Sequence, residues 1–341
     1  MLFKIGKDIG VDLGTASVLV TVKGKGVVLN EPSVVAIDSD RDKTLAVGEE
    51  ARSMLGRTPL NISAIRPLRE GVIADFDITE NMLRYFIQKA AGNSPFFKPR
   101  VMVCVPAGIT SVEQRAVIEA VLNIGAKDVF LIEEPRAAAL GADLDIFEPF
   151  GNMVIDIGGG TTDVAVISLG DIVKKESIRV GGDKLDEAIV RHIRDKHNLM
   201  IGERSAEEVK IQVASADPST RNKTMEVRGR DIVTGLPKTL TVDSEMAYEA
   251  IKEPVNSILR STHMVLEKTP PELAADIIDK GIVMTGGGAL LHGLDTFLTD
   301  KLQCPVFIAE DPISSVVRGT GIALEMLDNI MDTLASSKKP V

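Results

Sequence analysis

The chain has 341 residues, which suits two domains rather than one small core. Its 39 Lys and Arg against 49 Asp and Glu give a formal charge of −10, which argues against a nucleic-acid-binding surface, because nothing concentrates cations against phosphates. No stretch reads as a signal peptide, and no apolar run approaches the roughly 20 residues needed to span a bilayer.

The predicted elements begin with a strand pair over roughly 8–23 and a third strand near Gly26 to Leu29. Short strands at Ser33 to Ile37 and Leu45 to Val47 flank an Asp/Arg-rich turn at 38–43, and a helix follows at about 48–55. Residues 31–72 therefore read as a small subdomain inserted into a first domain. Thr79 to Ala90 has helical spacing, with Met82, Leu83, Phe86 and Ile87 on one face. A buried strand is expected at Val101 to Val105, and Ser111-Val-Glu-Gln114 fits a capping box for a helix at about 112–124. Val129 to Ile132 reads as a strand, and Glu134-Pro135 opens a helix with proline at its first position.

Strands follow near 164–169 and 172–180, then a helix with Leu185, Ile189 and Ile193 in register. Ser205-Ala-Glu-Glu208 fits a second capping box, and 225–242 alternates about Thr-Gly-Leu-Pro as a β-hairpin. A long helix fits 244–267, a strand fits Gly281 to Thr285, and Gly286-Gly-Gly288 leads into a helix from Ala289. The last helix is expected near 315–328. Strands alternating with helices in two matching halves imply an α/β protein. Domain I takes residues 1–145 and 315–341, and domain II takes 146–314 with an insertion at about 183–245.

One pattern occurs twice. Residues 9–15 read Ile-Gly-Val-Asp-Leu-Gly-Thr, and residues 154–162 read Val-Ile-Asp-Ile-Gly-Gly-Gly-Thr-Thr. Each is a strand that delivers an aspartate, then a glycine turn and hydroxyls, then a second strand. Glycine lets backbone N–H groups approach a phosphate without a Cβ in the way. Asp12 and Asp156 would repel that phosphate directly, so they make sense with Mg²⁺ and its waters between. A single such hairpin is most often a plain β-turn; two suggest related halves serving one nucleotide. Thr285-Gly-Gly-Gly-Ala289 is either a third phosphate- or nucleoside-side loop or a plain tight connection.

Glu133 and Glu134 either complement the dipole of the helix they precede or supply the carboxylate that holds an attacking water, with Thr161 or Thr162 orienting it. No arginine finger or histidine base is evident, which predicts slow hydrolysis. Cys104 and Cys304 are isolated in apolar contexts and read as buried thiols of a reduced cytoplasm. The histidines at 192, 197, 263 and 292 lack metal-ligand spacing. Phe96-Phe97 places two aromatics in an expected loop, either as buried anchors or as a membrane contact. The N-terminal Leu2 and Phe3, beside Lys4 and Lys7, could form a second, weak anchor.

These motifs together resemble the actin/Hsp70/sugar-kinase superfamily, and within it the bacterial actins of the MreB/Mbl type. The resemblance is carried by Asp12-Leu-Gly-Thr15, Asn30-Glu-Pro-Ser-Val34, Arg66-Pro67, Gly71-Val-Ile-Ala-Asp75, Ile132-Glu-Glu-Pro135, Asp156-Ile-Gly-Gly-Gly-Thr-Thr162, Thr269-Pro-Pro-Glu-Leu273 and Thr285-Gly-Gly-Gly-Ala-Leu-Leu291. It implies an actin-like (ribonuclease-H-like) α/β fold. Two related domains would have mixed sheets flanked by helices, each with a small inserted subdomain, and the nucleotide in the interdomain cleft. It further implies ATP, with Mg²⁺ near Asp12 and Asp156 and a catalytic water handled by Glu134 and Thr161. Gly14, Thr15, Ala16, Gly158, Gly159, Gly160 and Thr162 would lie at the phosphates. Gly286, Gly287, Gly288 and Ala289, with Glu207 and Lys210, would lie at the adenosine. Family members assemble head to tail into protofilaments, typically paired antiparallel, under the cytoplasmic membrane, where they guide the cell-wall elongation machinery. The membrane-inserting loop of the family falls at Phe96 and Phe97. A small-molecule kinase of the same superfamily is the alternative, but no acceptor-site base is evident, and an Hsp70-type chaperone would be expected to show a substrate-binding domain after the ATPase.

Overall fold

The computed structural model describes residues 8–38, 40–41, 43–92 and 98–336, and it divides into two compact units, Met1–Phe147 with Ile313–Val341, and Glu148–Pro312. In the first unit, β1 (Asp8–Leu13), β2 (Ser17–Val22) and β3 (Gly26–Pro32) form an antiparallel meander. Next come β4 (Val35–Asp38), β5 (Lys43–Val47), α1 (Glu49–Met54) and β6 (Ile62–Ile65). These build a separate three-stranded sheet, ordered β5-β4-β6, over a small core of Val34, Ala36, Ala46 and Ala51.

The hairpin β7 (Leu68–Arg69) and β8 (Val72–Ile73) leads into α2 (Phe76–Ala91). Met82, Leu83, Phe86 and Ile87 line the buried face of α2, as the spacing predicts. Asp75, within one of the family-like motifs, caps that helix by accepting from the Ile78 N–H. Then β9 (Arg100–Val105), α3 (Ser111–Asn123), β10 (Asp128–Glu133) and α4 (Glu134–Gly141) follow. The cap of α3 is Thr110, not Ser111. Glu113 is a carboxylate where Gln114 is a weaker amide acceptor, and its Oε2 takes the Thr110 N–H at 2.8 Å.

The second unit opens with β11 (Asn152–Ile157), β12 (Thr162–Ser168) and β13 (Asp171–Ile178), again an antiparallel meander. α5 (Gly182–His197) buries Leu185, Ile189 and Ile193. β14 (Leu199–Met200) runs into α6 (Glu203–Gln212), whose N-cap is Gly202 with no side-chain cap. The capping box expected at Ser205 is therefore not formed. The helix already starts at Glu203, so Ser205 falls inside its first turn. β15 (Thr224–Asp231) and β16 (Pro237–Asp243) make the expected hairpin and, with β14, a three-stranded sheet. α7 (Ser244–Glu267) matches the long helix. The Thr-Pro-Pro-Glu-Leu segment then turns into α8 (Pro271–Lys280), with Thr269 donating to the Val265 carbonyl. After β17 (Ile282–Thr285) no helix starts at Ala289. Residues 287–290 make one tight 3₁₀ turn, and α9 (Leu294–Leu302) begins only after Gly293, which is left-handed at φ 72°. β18 (Val306–Ile308) completes the sheet, and α10 (Ser315–Ser336) returns to the first unit.

The two main sheets share one plan. Their orders are β3-β2-β1-β9-β10 and β13-β12-β11-β17-β18. In both, the first strand pairs antiparallel with the second and parallel with the fourth. Each sheet has its own apolar core, around Val11, Phe86 and Val103 in one unit and Ile155, Leu185 and Ile258 in the other.

Within the first unit α10 lies across α4 and β1 on small residues. A Cβ at Gly319 would stand 1.8 Å from the Ala137 carbonyl oxygen, and one at Gly141 would stand 1.8 Å from that of Ser315. Both cysteines are buried, and neither is in a disulfide.

Candidate functional site

Asp12 and Asp156 are the fifth residues of β1 and β11, so the shared plan puts them at matching places, one in each unit. Their neighbours differ. Across the sheet Asp12 pairs with Leu19 and Cys104, whereas Asp156 pairs with Asp163 and Thr285.

In the first unit, the turn after Asp12 is braced by residues from two of the family-like motifs. Ser33 donates its hydroxyl to the Gly14 carbonyl at 2.6 Å, and its N–H donates to the Ala16 carbonyl at 3.0 Å. The Thr15 hydroxyl accepts the Gly71 N–H at 3.0 Å. A Cβ on Gly14 would lie 2.7 Å from the Ser17 carbonyl oxygen, so only glycine fits that turn. Glu134 is buried as the first residue of α4, just after Glu133 in the N-cap position. A carboxylate there gains from the helix dipole, and burial keeps its geometry fixed.

In the second unit, the turn closes with Gly158 N–H donating to the Thr161 carbonyl at 2.9 Å. The start of α5 sits against this turn. Gly182 N–H reaches the Gly158 carbonyl at 3.0 Å, and Asp183 N–H reaches the Gly159 carbonyl at 2.8 Å. A Cβ on Gly181 would come within 2.6 Å of both turn carbonyl oxygens. Gly181 and Gly182 thus join this turn, and their signal in the sequence is a glycine pair between a strand and a helix. Thr162 is fully buried and donates its hydroxyl to the Val180 carbonyl at 2.6 Å, so its side chain holds the turn in place. Gly160 and Thr161 are also buried, while Gly158 and Gly159 are half-exposed.

The carboxylates of Asp156 and Asp163 face each other across one antiparallel pair, both buried. Like charges in that position repel. Burial pushes the Asp156 carboxyl up to about 7, Asp163 adds to the rise, and the Thr285 hydroxyl, donating at 2.8 Å, opposes it. A buried pair of acids beside a glycine turn fits a divalent cation, whose charge offsets this repulsion. Among the described residues, no cluster of His, Cys, Asp and Glu forms an all-protein metal cage.

The third glycine cluster divides by role. Gly286, at φ 78°, and Gly288 press against Ile157 at the end of β11, where a Cβ would lie 2.3 Å from its carbonyl oxygen or 2.2 Å from its Cγ2. Gly287 is exposed with open space around it, and Ala289 is fully buried in the core. On α6, Glu207 and Lys210 are half-buried. Phe96, Phe97, Leu2 and Phe3 lie outside the described residues.

A model of the MreB/Mbl protein family matches residues 6–332. The chain belongs to the MreB/Mbl family. It is 60% identical over 324 residues to the cell shape-determining protein Mbl of Bacillus cereus, covering 95% of this chain and 97% of that protein. Identity to the cell shape-determining protein MreB of Escherichia coli K12 is 52% over 327 residues, covering 94% of each. The crystal structure of MreB 5 of Spiroplasma citri bound to AMPPNP matches with a TM-score of 0.92 at 38% identity, covering 97% of this chain and 99% of that one. The repeated sheet plan is thus the actin-like fold of this MreB/Mbl family, as expected from the motifs.

Proposed function

We propose that this MreB/Mbl family member is an ATP-binding, filament-forming cytoskeletal protein that assembles under the cytoplasmic membrane and organises cell-wall elongation to maintain rod shape. The observation that carries this reading is the repeated hairpin, with Asp12 and Asp156 at matching positions in two sheets of one plan. Its relatives are named for cell shape, and the MreB 5 neighbour binds AMPPNP. Domain I would comprise residues 1–145 and 315–341, and domain II residues 146–314.

In this proposal both hairpins contribute to binding one nucleotide. Gly14, Thr15 and Ala16, and Gly158 to Gly160, offer backbone N–H groups to phosphate oxygens. Asp12 and Asp156 hold Mg²⁺ through water, and the ion supplies charge neutralisation for phosphoryl transfer. Glu207, Lys210 and the loop at Gly287 serve the nucleoside. Glu134 accepts a hydrogen bond from the attacking water and Thr161 helps orient it. With no arginine finger among the proposed groups, turnover is slow and linked to assembly dynamics. Phe96 and Phe97 meet the membrane, assisted by Leu2 and Phe3, and weak anchors multiplied along a filament bind through avidity.

Phosphate release with Mg²⁺ and ATP, set beside ATP binding, tests the assignment of Glu134. Glu134→Ala should bind ATP as the parent does and release no phosphate. Loss of binding would make Glu134 structural, and a phosphorylated small molecule as product would favour a kinase.

A further inference from the structure

Lys210 does not extend from α6 as a free cation. Its Nζ donates to Asp186 Oδ2 at 2.8 Å and to the Gly182 carbonyl at 3.1 Å. Gly182 and Asp186 are four residues apart, so they share one face of α5, and a single ammonium spans its first turn. Gly182 is held from its other side by the hairpin, since its N–H donates to the Gly158 carbonyl at 3.0 Å. One chain of contacts therefore runs from the turn at Gly158 through Gly182 to Lys210 and Asp186.

Asp186 is an expensive way to hold two helices together. It is only 9% exposed, and burial pushes its carboxyl up to about 7 against the pull of Lys210. Its Oδ1 is buried with no hydrogen-bond partner among the described residues. Leu185, Ile189, Ala206 and Val209 already pack the neighbouring core without charge. An apolar pair in place of a buried ion pair is often neutral or stabilising. What the pair does provide is direction. A lysine ammonium has three donors, and two of them are committed to fixed acceptors on one helix turn.

We infer that Asp186 is a positioning residue, which locks the Lys210 ammonium between Gly182 and itself so that the ammonium is presented in one orientation to the nucleoside part of a bound nucleotide. This rests on the nucleotide reading proposed above. Asp186 touches no ligand in this account and acts only through Lys210.

Calorimetric titration of the full chain with ATP and with inorganic triphosphate, both with Mg²⁺, tests it. Asp186→Asn should weaken ATP by about tenfold and leave triphosphate unchanged, because only the nucleoside-side contact is misdirected. Its melting temperature should equal or exceed the parent's. Lys210→Met should also weaken ATP, and the double variant should be no weaker than Lys210→Met alone, the non-additivity expected of residues acting as one unit. ATP binding by Asp186→Asn equal to the parent's would overturn the inference. So would independent losses in the double variant, or a lowered melting temperature with both probes weakened alike, which would mark a structural pair. A parent that binds triphosphate but not ATP would overturn it too, whereas a parent that binds neither would refute the nucleotide reading itself.

Discussion

Thr285 on β17 donates its hydroxyl to Asp156 Oδ1 on β11, 2.8 Å away, while Asp163 faces the same carboxylate from β12. The matching aspartate of the first unit, Asp12, has Cys104 and Leu19 at those two places. The two halves keep one topology but not one chemistry. The second carries concentrated negative charge, which the Thr285 hydroxyl tempers.

Thr285→Val keeps the shape and removes that donor. The loss should destabilise the protein by about 1–3 kcal/mol, because a buried carboxylate loses a hydrogen bond. Chemical denaturation without metal measures it, and Mg²⁺ with ATP should reduce the difference.

Asp156→Asn relieves the facing charges. In the absence of nucleotide and Mg²⁺ it should raise stability by about 1 kcal/mol while abolishing the Mg²⁺ dependence of ATP binding. Opposite signs for stability and binding in one variant would separate a functional acid from a structural one.

The glycines of the third cluster should respond differently to a single methyl. Gly288→Ala meets Ile157 and should lower stability by about 1–3 kcal/mol. Gly287→Ala has room, so its melting temperature should match the parent's and only nucleotide affinity should fall. Thermal melts with paired titrations check both.

Gly319→Ala places a Cβ against the Ala137 carbonyl, where backbone rather than a side chain must yield. It should cost about 3 kcal/mol or more by driving α10 from α4. Gly141→Ala strains the same crossing, so the double variant should cost less than the sum.

The raised Asp186 carboxyl sets a pH trend. The folded protein holds that proton to about pH 7, but the unfolded chain releases it near pH 4. Its stabilising share is therefore complete below about pH 4 and is lost as pH rises through about 7. Asp186→Asn should remove that part of the slope, so its midpoint in denaturant should gain on the parent's between pH 5 and pH 8.

Much of this was legible in the chain. The Asp-Gly hairpins, the α2 face of Met82, Leu83, Phe86 and Ile87, and the 244–267 helix follow from local periodicity and turn chemistry, which sequence carries directly. The α3 cap falls one residue before the expected Ser111, because two overlapping Ser/Thr-x-x-Glu/Gln frames compete and only the carboxylate's reach decides. The helix expected from Ala289 does not form there, since nothing local distinguishes a glycine turn that continues from one pressed on Ile157. The Asp186–Lys210 contact, 24 residues apart, and the seat of Gly182 on Gly158 are tertiary and leave no periodic trace. The β7–β8 hairpin shows in the sequence only as a resemblance, because its tie to Thr15 through the Gly71 N–H is a tertiary contact.

The most direct test of the central claim is electron microscopy of the purified protein on anionic liposomes, with Mg²⁺ and ATP or without nucleotide. The account predicts ordered filaments on the lipid with ATP, lost on Asp156→Asn and weakened by replacing Phe96 and Phe97. Monodisperse protein under every nucleotide and lipid condition would contradict it.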